Sequence, residues 1–336
     1  MSRGMKLLGM LALAAMVLAA ACSSSTSSAD KTKTATTGGA ATKPAASGTT
    51  APAATTYPLT VTDMLGRSVT IPKRPEAIAA ISPTTVEYVY AIGRASKTRS
   101  SSVRFPIEAG LSRDIGPSYQ PNLEIIAAEK PDLLIADSVS QPQLEKTLAG
   151  LGIPVLFIGA QTFSDVAKGL RLMGKVGDKP ANGEAAAAKL EKTLSDLQAK
   201  LPTTKPKVLI INGTPDDFFA AKPESYVGDL VQLLGGDNVA KGLPDVGRFP
   251  GYTKLSLETI LASKPDIILA ITAGPPGATT ITSSLSSNPA WADVPAVKNK
   301  NVTEIALDIF LQAPGPRAAD GLAVLSKLLY PKATTP

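Results

Sequence analysis

The chain has 336 residues, with 34 lysines and arginines against 28 aspartates and glutamates, one cysteine and no histidine. The net charge of +6 does not indicate nucleic-acid binding, because the first 56 residues carry five bases against one acid and the remainder has no basic run or aromatic series for stacking bases. Without histidine, a Ser–His–Asp hydrolase site is excluded, and the folded part lacks the imidazole and thiolate ligands of zinc or manganese. We therefore predict no catalytic residues, no metal site and no cofactor.

The first 21 residues predict a secretory signal peptide. Arg3 and Lys6 precede the uncharged apolar stretch Leu7–Ala21, which is short for a transmembrane helix. Small residues then lead to Cys22 and resemble a bacterial lipobox, although Ala19 stands where leucine is usual. We expect Cys22 to be lipidated and to hold an extracytoplasmic protein on the outer face of the bacterial cell membrane. The alternative is an ordinary secreted protein with a spare thiol.

Residues 22–56 are predicted to comprise the lipidated cysteine and a stalk that connects it to the folded body. Ser23–Thr56 contains no Val, Ile, Leu, Met or aromatic residue, so it cannot bury enough apolar surface to offset the entropy of ordering, and we predict disorder. The body that follows is long enough for two lobes. We place an N-terminal lobe at 57–178, a connecting helix at 179–203 and a C-terminal lobe at 204–336.

Strands and helices alternate along the predicted N-terminal lobe. Leu59–Ile71 predicts a hairpin with Gly66 in its turn. Pro83–Ile92 predicts a helix with proline at its first position, and Val103–Gln120 an irregular loop. The other predicted elements are a strand at Ala77–Ile81, a helix and strand within Asn122–Ala136, a helix at Gln141–Leu151, a strand at Val155–Ile158 and a helix at Phe163–Val176.

The same alternation follows a long helix predicted at Ala181–Leu201. The second lobe is predicted to contain a strand at Lys207–Ile211, a helix at Tyr226–Leu234, a loop at Gly235–Thr253, a helix and strand within Ser256–Ala270, a loop at Ala273–Ser287, a strand at Val302–Ile305 and a helix at Arg317–Leu329. These patterns predict the α/β class: two similar lobes with mainly parallel central sheets, joined by a single long helix.

One 15-residue sequence motif, called the repeated phrase below, occurs in both predicted lobes. Asn122–Ala136 (NLEIIAAEKPDLLIA) and Ser256–Ala270 (SLETILASKPDIILA) share Leu, Glu, Ile, Ala, Lys, Pro and Asp in register. Each copy predicts an N-capped helix that proline stops before a buried strand. Each also places a glutamate, Glu124 or Glu258, in the first helical turn, where the helix dipole favours an exposed charge. Two matched acids on two matched lobes predict docking onto a partner with two matched basic sites.

An enzyme is the less favoured class for this chain. No GxSxG, P-loop or GxGxxG motif occurs. Paired carboxylates of the glycosidase type could come from Asp216, Asp217 and Glu224, but adjacent acids usually mark a solvated turn. Long loops at strand ends facing a cleft between two lobes instead predict a ligand site.

Motifs along the whole body carry a resemblance to one family. They are Asp63-x-x-Gly66-Arg67, Ser82-Pro83-x-x-x-x-Glu87, Asn122-Leu123-Glu124, Lys130-Pro131-Asp132, Gly152-Ile153-Pro154, Tyr226-x-Gly228-Asp229, Leu234-Gly235-Gly236-x-Asn238, Leu257-Glu258, Lys264-Pro265-Asp266 and Gly315-Pro316-Arg317. In this order they resemble the class III periplasmic-type substrate-binding proteins of ABC importers, which bind ferric siderophores, haem or cobalamin. The resemblance implies a monomer, and implies that Glu124 and Glu258 pair with arginines of an ABC permease dimer.

The resemblance also implies a set of ligand-binding residues: Arg104, Tyr119, Phe219, Arg248, Tyr252 and Arg317. Aromatic faces suit a flat macrocycle, whereas arginines suit an anionic iron chelate. Haem binders often have Tyr-Pro where this chain has Phe105-Pro106, and there is no histidine for iron. The expected order of ligands is therefore ferric siderophore, then cobalamin, then haem. A lipid-anchored surface enzyme without a transport role is the alternative of another class.

Overall fold

The computed structural model describes residues 55–247, 250–275 and 277–331. The signal peptide, Cys22 and nearly all of the stalk therefore lie outside the described residues, as does Arg248. The described chain is of the α/β class, with two lobes that each contain parallel strands.

The N-terminal lobe is built on a three-stranded parallel sheet. Its strands are β1 (Leu59–Thr62), β2 (Ser68–Ile71), β3 (Ile78–Ala80), β4 (Thr98–Arg99), β5 (Arg113–Asp114), β6 (Leu133–Ala136) and β7 (Val155–Phe157). Its helices are α1 (Pro83–Ala91), α2 (Leu123–Ala128), α3 (Glu145–Ala149) and α4 (Phe163–Val176), with 3-10 turns at Ile107–Leu111 and Pro142–Leu144. The sheet order is β3-β6-β7, and β1 and β2 form the predicted antiparallel hairpin.

The hairpin turn is organised by one aspartate. Asp63 Oδ1 accepts the backbone N–H groups of Leu65 and Arg67 at 3.0 and 2.9 Å. The guanidinium of Arg67 pairs with Asp63 Oδ2 at 2.7 Å and donates to Val155 O at 2.8 Å. Gly66 has φ +80°, a value that side chains disfavour. The hairpin is thereby fastened to strand β7.

A single long helix, α5 (Pro180–Gln198), follows α4 and confirms the long helix predicted at Ala181–Leu201, although it begins one residue earlier and ends three residues earlier. It packs very closely on α4. A Cβ at Gly174 or Gly183 would lie 2.8 Å from the Cα atom of the other glycine. Any side chain there would force the two helices apart, so glycine is required at this contact.

The C-terminal lobe has a mixed sheet. Its strands are β8 (Lys207–Gly213), β9 (Phe218–Ala221), β10 (Asp237–Asn238), β11 (Tyr252–Thr253), β12 (Ile267–Thr272) and β13 (Val302–Glu304). Its helices are α6 (Tyr226–Leu233), α7 (Leu257–Ser263), α8 (Ile281–Ser287), α9 (Pro295–Lys298) and α10 (Ala318–Leu329), with a 3-10 turn at Pro289–Trp291 and a π-helix at Asp308–Gln312. The order is β11-β9-β8-β12-β13; β8, β12 and β13 are parallel, and β9 runs antiparallel to both neighbours.

The repeated phrase forms the same structure twice. Asn122 and Ser256 cap their helices through the N–H groups of Ile125 and Thr259. The two lysines before proline have φ values of 47° and 51°, so each turn leaves its helix in the same left-handed conformation. The following aspartates accept backbone N–H groups at the start of a neighbouring strand: Asp132 from Glu76 and Ala77, and Asp266 from Lys207. The Lys-Pro-Asp part of the repeat is therefore accounted for by folding.

One hydrophobic cluster spans both lobes, and each lobe has a further cluster of its own. A single cluster of buried side chains contains Leu170 and Met173 of α4, Leu190 of α5, Leu230 of α6 and Leu322 of α10. A direct hydrogen bond also joins the two lobes: Phe163 N donates to Asp229 Oδ2 at 2.7 Å. The connection between the lobes is consequently a packed interior rather than one exposed helix.

Candidate functional site

A cavity of 720 Å³ opens between the two lobes and is called the large cavity below. The N-terminal lobe contributes residues that follow the ends of β6 and β7: Val139, Ser140, Ala160 and Gln161. The C-terminal lobe contributes Asn212, Gly213, Phe219, Ser225, Tyr226, Val246, Gly247, Pro250, Tyr252, Phe310, Leu311 and Pro314. Loops at the carboxyl ends of parallel strands meet in this cavity, as expected for an α/β ligand site.

Aromatic side chains form much of the wall of the large cavity. Phe219 on β9 and Tyr252 on β11 both line it, as do Tyr226 and Phe310. β9 pairs with β8 and β11 so that Asn212 lies opposite Phe219, and Ala221 lies opposite Tyr252. Burial raises the pKa of the Tyr252 phenol to about 12, so this ring stays neutral at physiological pH. These surfaces suit a flat, largely apolar ligand.

The polar side chains that the described residues present to the large cavity are neutral. Among the described lining residues, Ser140, Gln161, Asn212 and Ser225 carry amide or hydroxyl groups, and none carries a charge. The Asn212 side-chain oxygen is buried, and no described residue donates a hydrogen bond to it. An unpaired buried acceptor is costly, so a ligand N–H or O–H donor would be favoured there.

The loop that carries Val139 and Ser140 is held by a buried carboxylate. Asp137 Oδ1 accepts the N–H groups of both residues at 2.8 Å. Burial raises the pKa of Asp137, and hydrogen bonds from the Ser140 and Val139 backbone act in the opposite direction. The carboxylate therefore fixes the conformation of this loop, and Asp137 itself is not among the lining residues of the large cavity.

The ligand-binding residues predicted from the sequence do not all lie together. Phe219 and Tyr252 line the large cavity. Tyr119 is 69% exposed and outside its lining, and Arg104 is exposed with its guanidinium donating to Ser101 O and Val103 O at 2.7 and 3.1 Å. A ligand role for Arg104, Tyr119 or Arg248 stays a prediction.

Arg317 lines a second cavity of 480 Å³, called the small cavity, near α5. Its guanidinium pairs with Glu87 at 2.6 Å and with Asp308 at 2.7 Å, and it lies 4.7 Å from the centre of the Phe105 ring. Burial raises the pKa of Glu87 to about 7, against the lowering by Arg317. In this structure Arg317 is thus paired with two acids, and its predicted ligand role stays a prediction.

The two repeated glutamates are exposed at the first turns of their helices. Glu124 follows the Asn122 cap of α2, and Glu258 follows the Ser256 cap of α7. Neither forms an ion pair with another described residue. Both charges are therefore available to a partner, and their docking role stays a prediction.

A model of the periplasmic binding protein family matches residues 78–307 of this chain. The chain belongs to this family. It is therefore a periplasmic-type binding protein. Over residues 55–247, 250–275 and 277–331, no group of three or more His, Cys, Asp or Glu side chains is arranged to hold a metal ion. In the same ranges no helix has both the length and the apolar character needed to cross a bilayer.

Three curated relatives of this binding protein have informative names. An uncharacterized ABC transporter substrate-binding lipoprotein of Bacillus subtilis, YvrC, is 26% identical over 285 residues, covering 82% of this chain and 86% of that protein. A vitamin B12-binding protein of Vibrio parahaemolyticus is 25% identical over 264 residues, covering 76% and 90%. An Fe(3+)-citrate-binding protein of Bacillus subtilis, YfmC, is 27% identical over 219 residues, covering 64% and 66%.

Solved structures support the fold of the binding protein. An ABC transporter substrate-binding protein from Listeria monocytogenes superposes with a TM-score of 0.67 at 24% identity, covering 77% of this chain and all of that one. Staphylococcus aureus IsdE complexed with heme superposes with a TM-score of 0.65 at 22% identity, covering 76% and 98%. The predicted two-lobed α/β class is thereby confirmed.

Sequence reasoning missed several residues that line the large cavity of this binding protein. Asn212 is the second-to-last residue of β8, and Gln161 lies four residues after the end of β7. Both obey the rule that ligands meet the carboxyl ends of parallel strands, so strand-end positions were the usable signal. Phe310 lies in a π-helix, a rare element that no local sequence pattern predicts.

Proposed function

We propose that this binding protein is the substrate-binding component of an ABC importer and that it captures a large uncharged metal chelate of the corrinoid class. One observation carries the proposal: the cleft between the lobes is lined by aromatic and neutral polar side chains, with no charged side chain among its described lining residues. A corrin ring offers broad apolar faces, and its rim of carboxamides offers N–H donors and carbonyl acceptors. The relative named as a vitamin B12-binding protein, which this chain covers over 90% of its length, supports the same class.

The amide groups of the cavity match such a rim. The Asn212 oxygen is a buried acceptor without a donor among the described residues, and a carboxamide N–H would satisfy it. Gln161 and Ser140 line the same cavity from the N-terminal lobe and supply further neutral hydrogen-bonding groups. The described lining residues offer no counter-charge to a desolvated ligand charge, which favours an uncharged ligand.

Haem is disfavoured by the same chemistry. Its carboxylates require cationic partners, and its iron requires an axial ligand. The chain contains no histidine, and the Tyr252 phenol, with its pKa raised to about 12 by burial, resists conversion to a phenolate.

A ferric siderophore is the second candidate, because one cation lies at the edge of the aromatic wall. Lys254 Nζ lies 3.9 Å from the centre of the Phe219 ring and also pairs with Asp217. An anionic chelate could compete with Asp217 for this ammonium group. The relative named as an Fe(3+)-citrate-binding protein supports this candidate.

Native mass spectrometry of the purified chain tests the ligand class. We expect a 1:1 complex with cyanocobalamin, and no complex with haemin, ferric citrate or a ferric hydroxamate at the same concentration. Capture of either iron chelate in place of cyanocobalamin would replace the first candidate by the second. Failure of all four ligands to bind would contradict the proposed ligand class altogether.

We propose no catalytic role. Asp216 and Asp217, the acids available for a surface hydrolase, are exposed, and Asp217 is engaged by Lys254. Glu224 lies 3.6 Å from Lys222. The three carboxylates thus resemble solvated surface charges, which favours a binder over an enzyme.

We also propose that Cys22 is lipidated and anchors the protein to the outer face of the cell membrane. Cys22→Ser is expected to release the protein into the medium or to leave it unprocessed, because the serine cannot receive a diacylglyceryl group. Fractionation of cells followed by mass measurement of the N-terminus checks this. Ser23→Ala, which leaves the cysteine in place, is the control. Membrane retention of a normally processed Cys22→Ser variant would exclude the anchor.

A further inference from the structure

One short segment separates the large cavity from the small cavity. Residues 308–317, called the wall segment, present Phe310, Leu311 and Pro314 to the large cavity. The same segment presents Pro316 and Arg317 to the small cavity. The position of the wall segment therefore helps to set the shape of the space available to a ligand.

A buried ion-pair group holds the wall segment against the other lobe. Arg317 donates to Glu87 Oε1 on α1 through Nη2 at 2.6 Å and through Nε at 3.0 Å. It also donates through Nη1 to Asp308 Oδ2 at 2.7 Å, at the other end of the wall segment. The side chain of Glu87 is 2% exposed and that of Arg317 is 12% exposed.

We propose that Glu87 and Arg317 form an interlobe latch that fixes the wall segment in its binding position, so that Glu87 is a positioning residue for ligand capture. Glu87 lines the small cavity and not the large one, so it acts through Arg317 rather than by touching the ligand. The latch rests on the proposed function in one respect, namely that the large cavity is the ligand site.

Charge is the physical basis of the latch. A buried ion pair whose partner is removed leaves an uncompensated charge, and a charge-assisted hydrogen bond is about twice as strong as a neutral one. The second oxygen of Glu87, Oε2, is buried and receives no hydrogen bond from a described residue. Glu87 therefore depends on Arg317 for its stabilisation as an anion.

The latch is expected to respond to pH near neutrality. Burial raises the pKa of Glu87 to about 7, and the charged groups around it are Arg317, Asp308 and Asp320, with Glu108 and Lys189 on the small-cavity wall. The buried phenols of Tyr88 and Tyr226 also interact electrostatically with Glu87, and burial raises the pKa of both. As the pH falls from 8 to 6, Glu87 takes up a proton and its charge–charge attraction for Arg317 is lost. Ligand affinity should fall over this interval.

The effect of Glu87 on folding has the opposite sign, which separates positioning from a merely structural role. Its pKa is raised from the ordinary value of 4.5, so Glu87 favours the folded state most below pH 4.5, and this contribution is lost as the pH rises towards 7. Acidification towards pH 6 should therefore raise the stability contributed by Glu87 while it lowers ligand affinity.

Titration of the purified full-length protein with cyanocobalamin at pH 6 and pH 8 tests the latch. We expect the protein to bind roughly tenfold more weakly at pH 6, the loss of one charge-assisted contact. Glu87→Gln should bind weakly at both values, and Glu108→Gln, the same change in the same cavity, should behave as the unaltered protein does. Retention by Glu87→Gln of both the affinity and the pH response would overturn the proposal. Arg317→Lys keeps the charge but loses the planar fork of guanidinium donors, so it should give an intermediate loss. This variant tests the latch if Glu87→Gln does not fold.

A second measurement needs no ligand. Nitroxide labels on Ala128→Cys and Ala262→Cys, exposed and equivalent positions of the two repeat copies, in a Cys22→Ser background, report the distance between the lobes. The latched protein should give a narrow distance distribution, and Glu87→Gln a broader one. Broadening without cyanocobalamin binding would keep the latch and reject the proposed ligand. An unchanged distribution in Glu87→Gln would reject the latch, whichever ligand binds.

Discussion

Affinity for cyanocobalamin is expected to fall on the order of a hundredfold when Phe219→Ala and Tyr252→Ala are combined. Both rings line the large cavity, on the adjacent strands β9 and β11. Each substitution removes an aromatic face that contributes roughly 1.5 kcal/mol of binding free energy with an apolar ligand. The two substitutions together therefore cost about 3 kcal/mol, or about two powers of ten in affinity. Isothermal titration calorimetry of the single and double variants measures the loss.

Two matched variants make that result specific. Phe218→Ala removes the neighbouring ring of β9, which packs edge-on against Trp291 at 6.0 Å instead of lining the cavity, so it should lower the melting temperature and spare the affinity. Leu111→Ala removes an exposed side chain outside the lining of the large cavity and should alter neither quantity. A double variant that binds as tightly as the unaltered protein would show that the ligand lies elsewhere.

Transport is expected to be abolished when Glu124→Ala and Glu258→Ala are combined, while ligand affinity stays unchanged. The apolar faces of both helices are supplied by other residues, with Ile126 and Ile260 fully buried, and both glutamates are exposed. A partner with two-fold-related basic sites would lose both of its charge pairs, which chiefly set orientation and association rate. Uptake and ligand-stimulated ATPase activity of the reconstituted importer are the measurements.

The control for charge alone removes two other exposed acids, one from each lobe. The variant Glu76→Ala with Asp237→Ala changes the net charge by the same amount as the Glu124 and Glu258 double variant, but both of its positions lie outside the repeated phrase. This variant should transport normally. Normal transport by the Glu124 and Glu258 double variant would remove the docking role, and loss of ligand binding in it would assign those residues to the fold or to the cleft.

Much of the fold could be predicted because its elements carry local signals. The helix α4 matches its predicted bounds Phe163–Val176, and α1 begins at the predicted proline. The strand β9 was missed because it is four residues long and follows an acidic turn, and its antiparallel pairing makes the second sheet mixed. The helix α8 lies where the sequence predicts a loop, since ITSSLSS has weak helix propensity; the Thr280 cap and the burial of Ile281 and Leu285 stabilise it.

The candidate site was less predictable than the fold, because its contacts join distant parts of the chain. Phe219 and Tyr252 are predicted through a family resemblance, not through any local rule. The same resemblance assigns Arg317 to the ligand, whereas in the structure it binds Glu87, 230 positions away in sequence. No periodicity or spacing encodes such a pairing, since it depends on how two lobes pack.

The core shared by α4, α5, α6 and α10 bears on how this architecture can be divided. The repeated phrase resembles the product of a duplication, and it suggests two modules that could be exchanged or expressed apart. Yet Leu170, Leu190 and Leu230 belong to one continuous cluster, so cutting at either end of α5 would expose apolar side chains from both halves. The two halves repeat the same architecture, but their shared hydrophobic cluster makes them one packed unit. Exchanges between relatives would therefore be better placed in the strand-end loops, such as those that carry Ser140 and Gln161, than at the boundary between the lobes.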